Sequence, residues 1–305
     1  MRPETAEYTV QVPSEGTRRR QLPLKLYTPK GEEPSASVLY MPGFAEAGWH
    51  SKKTRRRMAE QGMASVCPEL LPGDNPKQVF FELLESEHFT VVQRNHRSAV
   101  THSNGIRSLT KLTQEEIDML FEKLNDITIC NGPIHDNVSL AREAARYVLN
   151  YGKLIRQGKY MDIIRDLPTI ARWVCHPRFA QEVINTKQEL NSLIPKKDNN
   201  FAGLESLIQK FGASLNFVVD PDDVLCPPDD LRDWLAQVKT RLPDDPDWQP
   251  QIIEDPNGHS PGYSRPRRFA ILIHKISTFA RTVRSKAKAP IMVGANLGKK
   301  YGEEV

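Results

Sequence analysis

Apolar and polar residues alternate around Tyr8, Val10 and Val12, and again around Leu22, Leu24 and Leu26, with the turn-rich Ser-Glu-Gly-Thr-Arg-Arg-Arg-Gln between them. Alternation of period two turns one side of a strand to a core, so the pattern predicts two antiparallel strands joined by a turn. Downstream the pattern changes to short, mostly apolar runs. Ser37 to Met41 stops at Pro-Gly-Phe-Ala-Glu-Ala-Gly, Ala64 to Cys67 at Pro68, Ser98 to Thr101 at His102-Ser103-Asn104-Gly105, and Ile127 to Cys130 at Asn131-Gly132-Pro133. Runs of this length, closed by turn-forming residues, predict strands buried on both faces. Helical sequence fills the stretch from Trp49 to Gly62 and the approach to Leu124. From Asn137 to Ile194 strand signals thin out, and Tyr147, Leu149, Leu154, Ile163, Ile164, Ile170, Trp173 and Phe179 recur at helical spacing, which predicts a helical insertion. The β/α rhythm then resumes with Ser214 to Val219, a helix from Pro228 to Val238, a short strand at Gln251 to Ile253 and a helix from Arg267 to Arg284. Strands alternating with helices predict a parallel sheet covered on both faces.

Composition narrows this picture. At 305 residues, with 39% hydrophobic and 26% charged positions, the chain can bury a large core, and one α/β domain with an insertion is the natural organisation. The expected division is residues 1–134 and 201–285 for the two parts of the core, 135–200 for the insertion and 286–305 for a loose tail. No stretch approaches the roughly 20 apolar residues that span a bilayer, so stable membrane insertion is not expected. The opening Met-Arg-Pro-Glu-Thr-Ala-Glu lacks a basic region followed by an apolar run, so a cytoplasmic location is expected. Cys67, Cys130, Cys175 and Cys226 form no metal-ligand spacing, and the acidic group Asp220, Asp222, Asp223, Asp229 and Asp230 lacks the spacing of a calcium loop; no metal is expected. A net charge of +4 is too small to argue for nucleic acid, and the run Lys52, Lys53, Arg55, Arg56 and Arg57 reads as a solvated helix face.

The chemistry sits in three loops that follow predicted strands, where open α/β sheets carry their sites. Thr101-His102-Ser103-Asn104-Gly105 is a small-x-Ser-x-Gly pentapeptide between a strand and a helix, the context of a nucleophile on a sharp, strained turn. Small residues two before and two after the serine keep strand and helix from clashing. Ser103 also suits a plain helix N-cap, and the other two loops are what favour the nucleophile. Asp220-Pro221-Asp222-Asp223 offers a carboxylate at the end of a strand, and Asp255-Pro256-Asn257-Gly258-His259 offers an imidazole before the last helix. Asp223 is preferred as the acid on its spacing to Pro227, with Asp220 and Asp222 as rivals. His102 and the insertion residues Ile170 and Trp173 are candidates for lining a substrate pocket, although insertion aromatics such as Tyr151, Tyr160, Trp173 and Phe179 more often belong to a core.

Serine, aspartate and histidine in that order resemble the α/β-hydrolase fold superfamily. The segment from Ser37 to Leu70, with its Gly43-Phe44-Ala45-Glu46 rhythm, is most similar to monoacylglycerol lipase and lysophospholipase-like serine hydrolases. Asp223-Val224-Leu225-Cys226-Pro227 resembles the acid loop of that group and Gly258-His259 its base loop. The resemblance implies a mostly parallel sheet flanked by helices, with the insertion as a cap over the site. It implies a triad of Ser103, Asp223 and His259, with the backbone amides of Phe44 and Asn104 as oxyanion donors. It implies hydrolysis of a small-molecule carboxylic ester or thioester through an acyl-enzyme, with no cofactor. Three departures stand out: Thr101 replaces a glycine of the elbow, Pro42 a histidine before Gly43, and Asp220 a glycine of the acid loop. These departures favour the rival reading, a non-catalytic binding module of the same fold.

Overall fold

A computed structural model describes residues 3–13, 19–43, 49–86, 89, 96–109, 111–132, 149, 152–181, 184, 204–223, 226, 228–240, 244, 249–256 and 265–288. Its strands are β1 (Glu4–Pro13), β2 (Arg19–Thr28), β3 (Ala36–Met41), β4 (Met63–Val66), β5 (Arg97–His102), β6 (Asp126–Cys130), β7 (Leu215–Val219) and β8 (Gln251–Glu254). Its helices are α1 (Trp49–Glu60), α2 (Pro76–Glu85), α3 (Gln114–Lys123), α4 (Tyr160–Val174), α5 (Leu204–Phe211), α6 (Pro228–Lys239) and α7 (Pro266–Lys288).

The strands form one sheet in the order β1-β2-β4-β3-β5-β6-β7-β8. The alternating N-terminal segments pair as an antiparallel hairpin, Tyr8 opposite Leu24 and Val10 opposite Leu22, and β2 joins β4 antiparallel. From β4 to β8 all pairing is parallel. The continuous apolar runs are explained by burial on both faces. Leu39, Met41, Ala99, Ile127, Ile129, Leu215 and Phe217 point to a cluster under α2, α3, α5 and α6, and Val38, Tyr40, Val100, Cys130 and Val218 point to a second cluster under α1 and α7. Among the described residues no helix is long and apolar enough to cross a membrane.

Two helices had not been anticipated from the sequence. The polar block between Asn75 and Arg97 contains α2, which starts on a conventional signal: Asn75 Oδ1 accepts from the amides of Lys77 at 3.1 Å and Gln78 at 3.2 Å, with Pro76 in the first turn. Its Val79, Phe80, Leu83 and Leu84 are buried. Before β7, α5 buries Leu204, Leu207, Ile208 and Phe211. At the other end α7 runs to Lys288, so the expected tail boundary at residue 286 falls inside a helix. The basic run is also not one solvated face. Arg55 is buried, its guanidinium lies 4.9 Å above the Tyr27 ring and it donates to Lys25 O at 2.8 Å, because α1 packs against β2 there.

Candidate active site

Register gathers the strand ends into one row. Met41 pairs with Thr101, His102 with Cys130, Cys130 with Val218, and Val219 with Glu254. The residues that leave the sheet next are therefore neighbours: Pro42 after β3, Ser103 after β5, Asn131 after β6, Asp220 after β7 and Asp255 after β8. The chain passes from β3 to β4 on one side and then back over to β5 on the other, so β3 and β5 flank the point where strand order reverses. At such a point the loops diverge and leave a crevice.

Ser103 has φ of 48°, in the left-handed region. For a residue with a Cβ this is strained, and an N-cap would be extended, so the plain N-cap reading fails. The turn continues as a 3-10 helix, Ser103–Leu109, in which Ser108 Oγ donates to Gly105 O at 2.8 Å. Gly105 is required by packing: a Cβ there would lie 3.0 Å from Pro42 O and closer still to Met41 O, both backbone atoms that cannot move aside. Thr101 is tolerated because the tight approach to β3 falls on Gly105. Thr101 sits inside the β5 ladder, fully buried, with its Oγ1 in no hydrogen bond among the described residues. His102 and Ser103 are 2% and 5% exposed, so the nucleophile candidate is buried. Asn104 is the second residue of the turn; its side chain is outside the described residues.

After β7 the three candidate acids separate by role. Asp220 is buried and shapes the loop: its Oδ1 accepts from Asp222 N at 3.0 Å and its carbonyl from Asp223 N at 3.1 Å. Its other oxygen is 3.8 Å from Lys153 Nζ. Asp222 is exposed. Asp223 is 5% exposed, with Oδ1 accepting from Cys226 N at 3.1 Å, which fixes its carboxylate relative to the backbone. Asn131, which sequence reading took only as a strand stop, ties this loop to β6. With φ of 45° it accepts on Oδ1 from Asp220 N at 2.9 Å and donates its own amide to Val218 O at 2.9 Å. Asn tolerates the left-handed region better than other side chains, which was the available signal.

His259 and Phe44 lie outside the described residues. The stems of the loop that carries His259 are nevertheless fixed beside the acid loop. Asp255 N donates to Val219 O at 2.9 Å, and the Asp255 carboxylate pairs with Arg268 of α7 at 3.4 Å.

The insertion touches the core at both sides of the row. Arg172 of α4 pairs with Glu69, just past β4, at 2.5 Å, and Lys153 donates to Asp222 O at 3.4 Å, past β7. Leu154 is buried and Phe179 packs against the larger core cluster. Ile170 is partly buried, and the side chain of Trp173 is outside the described residues. On α4, Tyr160, Ile164, Leu167 and Val174, which share one helical face, are 54%, 51%, 51% and 51% exposed, so that face does not pack on the core.

No family model matches the sequence, and no curated protein does. Solved structures match its shape. A membrane phospholipase A described as a bacterial virulence factor is 15% identical with a TM-score of 0.54, over 91% of this chain and 87% of that one. An esterase from Rhizomucor miehei is 14% identical with a TM-score of 0.52, over 94% and 86%. The thioesterase domain of the curacin biosynthetic pathway is 14% identical with a TM-score of 0.51, over 88% and 99%. At these identities the likeness is one of fold: the chain has the α/β-hydrolase fold.

Proposed function

We propose that this chain is a serine hydrolase that cleaves a small-molecule carboxylic ester or thioester in the cytoplasm without a cofactor. The observation that carries the reading is Ser103 in the left-handed region at the switch point, over a Gly105 that backbone contact obliges to be glycine. A strained serine at that place holds its hydroxyl towards the crevice and puts the following amide, that of Asn104, beside the reacting carbonyl. In the proposed reaction Ser103 attacks the acyl carbonyl, His259 takes its proton and passes it to the leaving group, and Asp223 orients the imidazole. The amides of Phe44 and Asn104 hold the oxyanion, an effect of about 3 kcal/mol per donor. Water then releases the acid. Asp223 is kept as the acid on its spacing to Pro227, with Asp220, whose Oδ1 accepts from the amide of Asp222, as its rival.

Residues 135–200 would serve as the cap, with His102, Ile170 and Trp173 lining the acyl pocket. Each buried methylene is worth about 0.8 kcal/mol, so Ile170→Ala or Trp173→Ala should shift the kcat/KM profile across C2 to C12 esters by roughly tenfold for a few carbons. An unchanged profile in both leaves the cap a structural cover. The depth of Ser103 favours a second reading, a binding module whose serine never meets an acyl group. A fluorophosphonate probe separates the two. Labelling of the folded wild type that vanishes in Ser103→Ala supports the enzyme, and absence of labelling supports the binder.

A further inference from the structure

The acid loop is gripped from the core on one side and from the insertion on the other. On the core side Asn131 accepts the amide of Asp220 on its Oδ1 at 2.9 Å. On the insertion side Lys153 Nζ donates to Asp222 O at 3.4 Å and lies 3.8 Å from Asp220 Oδ2. Asp220 passes both grips on to its neighbours: its Oδ1 accepts from Asp222 N at 3.0 Å and its carbonyl from Asp223 N at 3.1 Å. The Asp220 side chain is 2% exposed, so the ammonium acts on a carboxylate largely out of water, where charge is screened less than at a surface. Lys153 is itself held in place. Residues 152–156 are helical, and the turn closes on Gly158, at φ of 72°, with Lys159 N donating to Leu154 O at 3.0 Å and Gly158 N to Ile155 O at 2.9 Å. That pair of bonds ends a helix in a fixed direction, from which α4 departs at Tyr160. Leu154, next to Lys153, is buried and pins the turn to the protein, and near the far end of α4 Arg172 pairs with Glu69 past β4.

We infer that Lys153 is a positioning residue, through which the insertion holds the Asp220–Asp223 loop in the arrangement that presents the acid. It acts through Asp220 and Asp222, which in turn fix the backbone of Asp223. The carboxylate that orients the base therefore keeps its place only while the insertion is docked. A cap that merely covered the site would need no charge aimed at the loop that carries the acid. The catalytic half of this inference rests on the serine hydrolase reading, whereas the grip on the loop does not.

The test compares Lys153→Met and Lys153→Arg with wild type in the full chain, with Arg156→Met, which removes the same charge from an exposed position on the same turn, as control. Amide hydrogen exchange reads the grip directly. In Lys153→Met the amides of Asp222 and Asp223 should exchange about tenfold faster, the scale of one charge-assisted hydrogen bond, and in Lys153→Arg and Arg156→Met they should exchange as in wild type. Turnover of p-nitrophenyl acetate, whose acyl group is too short to reach along a cap, reads the consequence. Lys153→Met should lower kcat about tenfold with KM within about twofold, because a misplaced acid slows proton transfer and leaves acyl binding alone, and Lys153→Arg should restore it. Should Lys153→Met fail to fold, Lys153→Gln takes its place. Unchanged exchange at Asp222 and Asp223 overturns the grip. Faster exchange with unchanged kcat overturns the positioning role, as does an equal loss in Arg156→Met, which would reduce the effect to net charge. Failure of the hydrolase reading has a different signature: wild type takes no fluorophosphonate, which removes the positioning role, while the exchange difference between wild type and Lys153→Met persists.

Discussion

The two ends of the central sheet gather the same residue types and put them to opposite uses. At the amino end, Asp126 Oδ2 accepts from Ser98 Oγ at 2.7 Å and meets His96 Nε2 at 2.6 Å, while Ser98 Oγ lies 2.8 Å from Ser277 Oγ of α7. All of these are buried at 2% exposure or less, on backbone that is extended or helical. At the carboxyl end Ser103 stands on a strained turn beside diverging loops. The amino-end cluster has closer contacts between serine, aspartate and histidine than anything described at the other end. Among the described residues it has no strained turn that projects a hydroxyl. On the proposed reading, then, backbone conformation at a strand end marks the site and hydrogen-bond proximity does not.

The sharpest way to break that comparison is to remove each serine. Ser103→Ala should lower hydrolysis of a p-nitrophenyl ester by several orders of magnitude, about 10⁴-fold or more, with the protein still folded by circular dichroism. Near wild-type turnover in that variant would sink the triad. The acid comes next: Asp223→Asn should reduce kcat by about 10⁴-fold and exceed Asp220→Asn or Asp222→Asn in effect. The reverse ranking moves the acid along the loop. At the amino end the expected loss is stability. Asp126→Ala leaves His96 and Ser98 without their shared acceptor in the interior and should cost about 3–5 kcal/mol in urea unfolding, while the folded fraction still reacts with a fluorophosphonate. The smallest effect is expected from Ser98→Ala. It retains the His96–Asp126 contact and should cost about 1 kcal/mol with kcat/KM unchanged. A large fall in turnover there would show that the two ends are coupled.

The parallel strands were legible as short, mostly apolar runs cut by turn chemistry, and the N-terminal hairpin by its alternation; Ser37 to Met41 was read against an observed Ala36–Met41, and Ile127 to Cys130 against Asp126–Cys130. The helix α2 was missed although Asn75-Pro76 and the spacing of Val79, Phe80, Leu83 and Leu84 both announce it, because charged residues on its outer face dilute the apolar signal. In the candidate site, the strained serine and its glycine were legible from five residues. The Asn131–Asp220 tie and the His96–Asp126 contact were not, since each joins residues from different strands whose adjacency exists only once the sheet is ordered. The outward apolar face of α4 was also beyond reach. Periodicity identifies an apolar face and cannot say which way it docks.

The contact of Gly105 with the carbonyl of Met41 also has a kinetic meaning. The elbow takes shape against β3, and β3 and β5 meet through parallel pairing of residues far apart in sequence, Met41 with Thr101. Pairings of that kind pay their loop-closure entropy before they return any contact, and they form late and slowly. Reactivity at Ser103 should accordingly lag behind the recovery of helical signal during refolding. The interval between the two would time the docking of the first parallel strands.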